Sequence, residues 1–247
     1  MDSIPSNHFE SLSRHERTYW WHVSRLNWAE HILRIIAKKS EFKLTVDYGC
    51  GTGGFIHELS KRLNFESHLG VDISLEAIRY ASKFGNHYKA ILPGQLDTIV
   101  DADLVLLMDV LEHIKSDKEF LLRIVGTLQP NALVLGSVPA MPCLYSTWDM
   151  ILGHYRRYTQ KNIFNFSENS SCKLLYQGYA FSYLVPATIF FRKLYKNEFS
   201  KHKCEFPAVS SFINSILLVL NQYEISLSKK IRIPFGNSLF FLLQKNE

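Results

Sequence analysis

The apolar positions of this chain fall into short continuous runs that alternate with stretches of helical period. Leu26, Ala29, Ile32, Leu33 and Ile36 repeat at helical spacing and predict an amphipathic helix over 24–39. A β-branched run at 44–47 predicts a first strand, followed by a helix at 55–63. A second strand at 68–71 ends at Asp72, and the helix after it, capped by Ser74, buries Ala77, Ile78 and Ala81. A third strand lies within 88–92. The unbroken apolar run 104–108 reads as a fourth strand covered on both faces, as in a parallel sheet. Ser116 and Glu119 predict a capping box for a helix whose inner face is Phe120, Leu121, Ile124, Val125 and Leu128; Pro130 breaks the chain before a fifth strand at 132–138.

Strands alternating with helices over this length imply a doubly wound α/β fold, with helices on both faces of a mostly parallel sheet and ligands at the carboxyl ends of its strands. Gly49, Asp72, Asp109 and Pro139 all fall at such ends. Beyond Ala140 the pattern loosens into a long loop with Tyr145, Trp148 and Asp149, then GHYRRYT at 153–159 and a helix from about Thr159. A sixth strand is expected at 173–180 and a last one at 238–243, with a helical insertion between them. We expect one domain over 1–247, in which 1–40 is a helical cap and 182–227 a lid.

Composition narrows the class. Of 247 residues, 47% are hydrophobic and 21% charged, enough for a sizeable core, and no repeat or low-complexity tract is visible. The formal net charge of +5 is spread along the chain, which does not suggest nucleic acid and suits an anionic or membrane-associated substrate. Cys50, Cys143, Cys172 and Cys204 form no CxxC pair or zinc spacing, so a reduced, cytoplasmic protein is expected. Asp2, Glu10 and Glu16 argue against a signal peptide. The longest apolar stretches, 179–191 and 208–220, are shorter than the roughly 20 residues of a membrane span and are interrupted by Pro186 and Asn214. They read as buried or interfacial helices, with peripheral membrane contact left open.

The densest chemical signal is LTVDYGCGTGGF at 44–55. Glycines at 49, 51 and 53 let backbone pass close to a ligand, and a helix opening near Gly54 offers free N–H groups to a carboxylate. Asp47 places a negative charge where a cationic ligand would sit. Gly49, Gly51 and Gly54 also satisfy the dinucleotide fingerprint, with Asp72 near the spacing of its ribose acid, so a nicotinamide oxidoreductase is an alternative. Together with ADLVLLMDVLEHI at 102–114 and GHYRRYT, however, the loop resembles class I S-adenosylmethionine (SAM) methyltransferases, in particular the small-molecule O-methyltransferases of ubiquinone biosynthesis.

That resemblance implies a seven-stranded Rossmann-like methyltransferase fold with an antiparallel last strand, and SAM as cofactor. It places Asp47, Gly49, Gly51, Gly53, Asp72, Ile73, Gln95 and Asp109 around the cofactor, Asp72 on the ribose and Ile73 against the adenine. The adenine edge departs from the common Gly-Asp form, offering Gly94, Gln95, Leu96 and Asp97, with Gln95 and Asp97 unresolved as its partner. In some relatives a divalent ion accompanies the segment matching Asp109, Glu112 and His113; here a structural role is favoured and no metal is expected. Trp148, Arg156 and Arg157 are candidates for holding an acceptor, and His154 or His113 for taking its proton. The aromatic stretch 15–28, with Tyr19, Trp20, Trp21, His22, Arg25 and Trp28, is a lid candidate, though simple packing is favoured. The expected activity is methyl transfer by in-line displacement to a small molecule, with a hydroxyl favoured; the acceptor could be glycan- or isoprenoid-linked. A SAM-binding protein acting through a partner is the second reading. Oligomeric state is not legible.

Overall fold

The computed structural model describes residues 6–92, 95–168, 171–194 and 209–247. Gly94, Cys204 and the middle of the expected lid, 195–208, fall outside these residues. Among the described residues seven strands form one sheet: β1 (Glu41–Tyr48), β2 (Asn64–Asp72), β3 (Tyr88–Ala90), β4 (Leu104–Met108), β5 (Leu133–Pro139), β6 (Cys172–Ala180) and β7 (Ser238–Lys245), in the order 3-2-1-4-5-7-6. The first five are parallel, and β7 runs antiparallel between β5 and β6. This is the doubly wound architecture that the strand and helix alternation predicts.

The helices are α1 (Ser6–His15), α2 (Trp20–His31), α3 (Gly54–Arg62), α4 (Leu75–Ala81), α5 (Asp117–Thr127), α6 (Thr147–Ile151), α7 (Gln160–Glu168), α8 (Val185–Leu194) and α9 (Ser211–Ser228). Side chains alternate across β4 and so divide the core. Val105 and Leu107 pack with Phe120, Leu121 and Ile124 of α5 and Ile163 of α7. Leu104 and Leu106 pack on the other face with Trp28 of α2, Ile56 and Leu59 of α3 and Phe240 of β7. Trp28 is fully buried and stacks on Phe240 with ring centroids 5.8 Å apart, so the N-terminal helices are part of the core. The packing reading of the 15–28 aromatics is the one seen at Tyr19, Trp20 and Trp28, all buried.

Some local expectations need correction. The helix expected over 24–39 starts earlier, at Trp20, and passes at Ile32–Ile36 into a π-helical turn. Ser116 makes no side-chain cap and no box with Glu119 forms: its backbone, at φ −101° and ψ 59°, lies outside the extended region of a capping residue, and Asp117 after it meets Arg156 and Tyr158. A cap of that kind forms instead in the stretch expected to be loop, where Asp149 accepts the N–H of Ser146 at 2.9 Å and opens α6. Ser74 caps α4 as expected, accepting the N–H of Ala77 at 3.2 Å. Between β6 and β7 lie α8 and α9; α9 packs on α2, with Asn214 accepting the N–H of Trp20 and Asn221 accepting from Asn27. Among the described residues no helix is long and apolar enough to cross a membrane.

Candidate active site

The carboxyl ends of β1, β2, β4 and β5 converge on one edge, and the candidate residues lie there. After β1, Gly49 and Gly53 take positive φ of 83° and 84°. A side chain at Gly49 would meet Val110 Cγ2 at 2.7 Å, and one at Gly53 would meet Tyr88 Cε1 at 2.7 Å. Both the turn and its close packing therefore require glycine. Asp72, at the end of β2, accepts the N–H of Gly51 at 2.9 Å through Oδ2 and that of Ser74 at 2.8 Å through Oδ1. Each carboxylate oxygen keeps acceptor capacity toward a ligand hydroxyl. Ile73 beside it is 52% exposed, so it is not a core residue and presents an apolar surface at the edge of the loop.

Asp47 is 2% exposed and its Oδ1 has no hydrogen-bond partner. Burial pushes its carboxyl up to about 7, the Arg25 guanidinium opposing that and Asp72 adding to it. An orphaned buried carboxylate oxygen beside a glycine turn fits a cationic ligand. Asp109 ends β4 with φ 58°, a left-handed conformation uncommon outside glycine. Its Oδ1 accepts from Ser137 Oγ at 2.8 Å, and its Oδ2 pairs with Arg25 at 3.0 Å. Arg25 links the poles by facing both aspartates, with a buried Nε that makes no hydrogen bond.

The N-terminus of α3, whose free N–H groups invite a ligand carboxylate, is taken by this chain's own Glu16. Its Oε2 accepts from Thr52 Oγ1 at 2.5 Å and from the N–H of Gly54 at 3.1 Å, which answers the unpaired donors of the helix start. Burial raises its carboxyl above the usual range. Gln95 is also engaged locally, its Oε1 accepting the N–H of Leu92 at 3.1 Å, while Asp97 is exposed at the start of a 3₁₀ turn.

At the other pole, DVLEH and GHYRRYT meet. The N–H of Tyr155 donates to Glu112 O at 2.7 Å, and the rings of His113 and His154 lie edge to face at 4.8 Å. Tyr158 bridges alongside Ala140 at the end of β5. His154 Nδ1 faces Asp149 Oδ1 at 3.3 Å; because a carboxylate only accepts, this contact favours the proton on Nδ1, and in the neutral ring Nε2 is then the acceptor. Asp149 is fully buried and also takes Arg157 Nε at 2.7 Å and Arg192 Nη1 at 3.2 Å. Hydrogen bonding to His154 and the charges of the two arginines hold its carboxyl down at about 2, against the effect of burial. His113 is pushed down to about 4 by burial and by His154, so it is neutral and a weak base.

The arginines expected to meet an acceptor are engaged within the protein. Arg157 also donates to Ala140 O at 3.0 Å and is nearly buried. Arg156 pairs with Asp117 and donates to Lys115 O at 2.6 Å. Trp148, half-buried on α6, sits one residue from Asp149. Glu112 is fully buried, neither of its carboxylate oxygens has a hydrogen-bond partner, and burial followed by Asp109 drives its carboxyl well up. Among the described residues, Glu112, His113 and His154 bring three ligand-type atoms within 4.8 Å of one another, a donor set able to take a divalent ion.

Sequence patterns assign no role to Glu16, Asp149 or Asp117, and mark Arg25 only within an aromatic stripe. For Asp149 a signal exists: Ser146 three residues before an acid is a cap pattern. Glu16 and Arg25 act across the fold, and nothing local marks them.

A family model described as a methyltransferase domain matches residues 19–182. The mitochondrial ubiquinone biosynthesis O-methyltransferase of Schizosaccharomyces pombe is 27% identical over 157 residues, 55% of this chain and 56% of that protein. The match thus spans little more than half the length of that relative. Among solved structures, the N-methyltransferase NodS of Bradyrhizobium japonicum, crystallised with S-adenosylhomocysteine (SAH), superposes with a TM-score of 0.58 at 12% identity, covering 98% of this chain and 100% of that one. The plantazolicin methyltransferase BpumL, also crystallised with SAH, gives 0.58 at 15% identity, covering 98% and 90%. The two likenesses show the fold expected from the sequence, and the family match decides the glycine loop in favour of the methyltransferase reading over the dinucleotide one.

Proposed function

The chain belongs to the methyltransferase domain family, whose cofactor is SAM, and from that premise we propose that it methylates a hydroxyl of a small-molecule acceptor with His154 as the base. Asp47 would face the cationic part of the cofactor, Asp72 its ribose and Ile73 its adenine. Gly49, Gly51 and Gly53 would let it lie against the backbone, and Asp109 would close the site from β4. The orphaned Oδ1 of Asp47 supports this placement.

The cofactor supplies a methyl group already activated on a sulfonium, so the protein's work is alignment, exclusion of water and removal of a proton. SAM would supply the methyl group and its sulfur would leave with the bonding pair, while His154 Nε2 would take the proton of the attacking acceptor hydroxyl. Asp149 holds the ring through Nδ1 and stabilises the imidazolium that results. This Asp149–His154 pairing is the observation that carries the choice of a hydroxyl, because an amine that is already nucleophilic needs no base. The similarity to an O-methyltransferase points the same way.

Calorimetric titration with SAH, followed by an acceptor screen, tests the reading. Asp72→Ala should weaken SAH binding at least about tenfold, the loss of hydrogen bonds to a charged group. His154→Ala should leave SAH binding intact and cut turnover about 10²–10⁴-fold. Unaltered turnover in His154→Ala removes the base assignment, SAH binding with little turnover across the acceptor screen favours a SAM-binding protein acting through a partner, and absence of SAH binding in the wild type removes both readings.

A further inference from the structure

α9 has two apolar faces, and the core uses only one. At 3.6 residues per turn, Asn214, Leu217, Leu218, Asn221, Glu224 and Ile225 lie on the inner arc, which packs toward α2 and the β6 end. Glu224 is the one charged residue of the helix, and it too is inside, accepting the N–H groups of Phe181 and Ser182 at 2.7 and 2.6 Å. Phe212, Ile213, Ile216, Val219, Leu220 and Tyr223 fall within an arc of about 120° on the opposite side. All are exposed, Phe212 at 74%, Val219 at 67% and Tyr223 at 68%. A charge-free apolar stripe over three turns is far from the usual solvent face of a helix.

Beyond the stripe the chain turns basic. Lys229, Lys230 and Arg232 are exposed at the end of α9, with the exposed Ile231 and Phe235 interleaved. No carboxylate occurs between Glu224 and Glu247. The apolar face itself carries no charge or fork with which to orient a protein partner. The cations follow the end of the helix, about two turns beyond Tyr223, a residue suited to the boundary between apolar and wet surroundings. An apolar stripe that continues into a cationic, acid-free segment is complementary to an anionic bilayer surface.

We propose that the outer face of α9 and the basic segment 229–235 dock the protein on an anionic lipid bilayer. The helix lies in the plane of the interface, its stripe among the acyl chains and Lys229, Lys230 and Arg232 among anionic headgroups. This contact is independent of which atom is methylated.

Flotation of the full chain with vesicles of equal parts phosphatidylglycerol and phosphatidylcholine, against phosphatidylcholine alone, is the test. The wild type should float with the anionic vesicles and lose most of that binding on the neutral ones or at high salt. The double variant Phe212→Ser, Val219→Ser should weaken binding by about tenfold or more, since two large exposed side chains no longer transfer from water. Lys229→Glu with Lys230→Glu should weaken it to a similar degree on anionic vesicles only. Unchanged thermal unfolding and SAH titration show that each variant is folded. No flotation with either vesicle overturns the proposal. So does a wild-type dimer in sedimentation that the Phe212→Ser, Val219→Ser variant dissolves, which would assign the face to a second copy of this chain.

Discussion

Asp47 and Asp149 are both buried carboxylates at the ligand edge of the sheet, yet one is pushed up to about 7 and the other held down at about 2. Burial acts the same way on both. The difference is compensation: Asp149 gathers Ser146, His154, Arg157 and Arg192, whereas Asp47 has an unpaired oxygen and one guanidinium shared with Asp109. The Asp149 network is thus complete as it stands, a scaffold that fixes His154. The cofactor pole is left electrostatically short, and a bound cation would complete it. The two poles meet through Arg25 and Asp109, so the contrast lies within one continuous site.

The largest effect expected from breaking this contrast is at Asp149. Asp149→Ala leaves Arg157 and Arg192 without their buried counter-charge and should cost about 3–5 kcal/mol in urea unfolding, the usual loss when one partner of a buried pair is removed. The sign of its pH dependence is also fixed. A carboxyl lowered from 3.8 to about 2 on folding contributes stability that is present above pH 3.8 and is lost as pH falls toward 2. Acid titration of unfolding in the wild type should show that loss, and Asp149→Asn should lack it. An Asp149→Ala protein as stable as the wild type would mean that the network carries no net stability.

Asp47→Asn should act in the opposite direction on the ligand-free protein. A carboxyl raised from 3.8 to about 7 on folding favours the folded state below 3.8, an advantage lost as pH rises through 7. Ligand-free wild type should therefore lose stability from pH 4 to 7 at this group, and the asparagine variant should melt higher at pH 8. The same variant should bind SAH about tenfold more weakly, having lost a charged partner for the ligand's ammonium. Wild-type affinity should rise between pH 6 and 8 as Asp47 ionises, while the variant's stays flat. A variant that melts lower and binds SAH like the wild type would place Asp47 with Asp149, as a structural group.

The same contrast explains what is legible in the sequence. The glycine turn, Asp72 and the β4 segment are local: a strand, its final acid and its turn are contiguous, so their period and residue types announce both fold and site. The parallel sheet rests on the same alternation. The acceptor pole is assembled from 109–113, 146–157 and Arg192, and only the tertiary fold decides which arginine meets which aspartate. Hence Arg156 and Arg157 read as anion holders, though the fold pairs both with buried acids. Glu16 is the same lesson at the cofactor pole, a carboxylate brought to the start of α3 from 38 residues away.

The smallest effect, and the sharpest test of the acceptor pole, is at Arg156. Its guanidinium pairs with Asp117 and Lys115 O while its side chain stays 35% exposed, so solvent screens the pair. Arg156→Ala should cost on the order of 1 kcal/mol in unfolding and leave SAH affinity and the acceptor KM unchanged if its role is the one these contacts show, bracing α5 against the 153–159 segment. Arg156→Lys should recover part of the stability, keeping the charge and losing the fork. A raised acceptor KM in Arg156→Ala at unchanged stability would reverse this. Asp117 would then be a resting partner that an anionic acceptor displaces, and the acceptor pole would be as dependent on its ligand as the cofactor pole is.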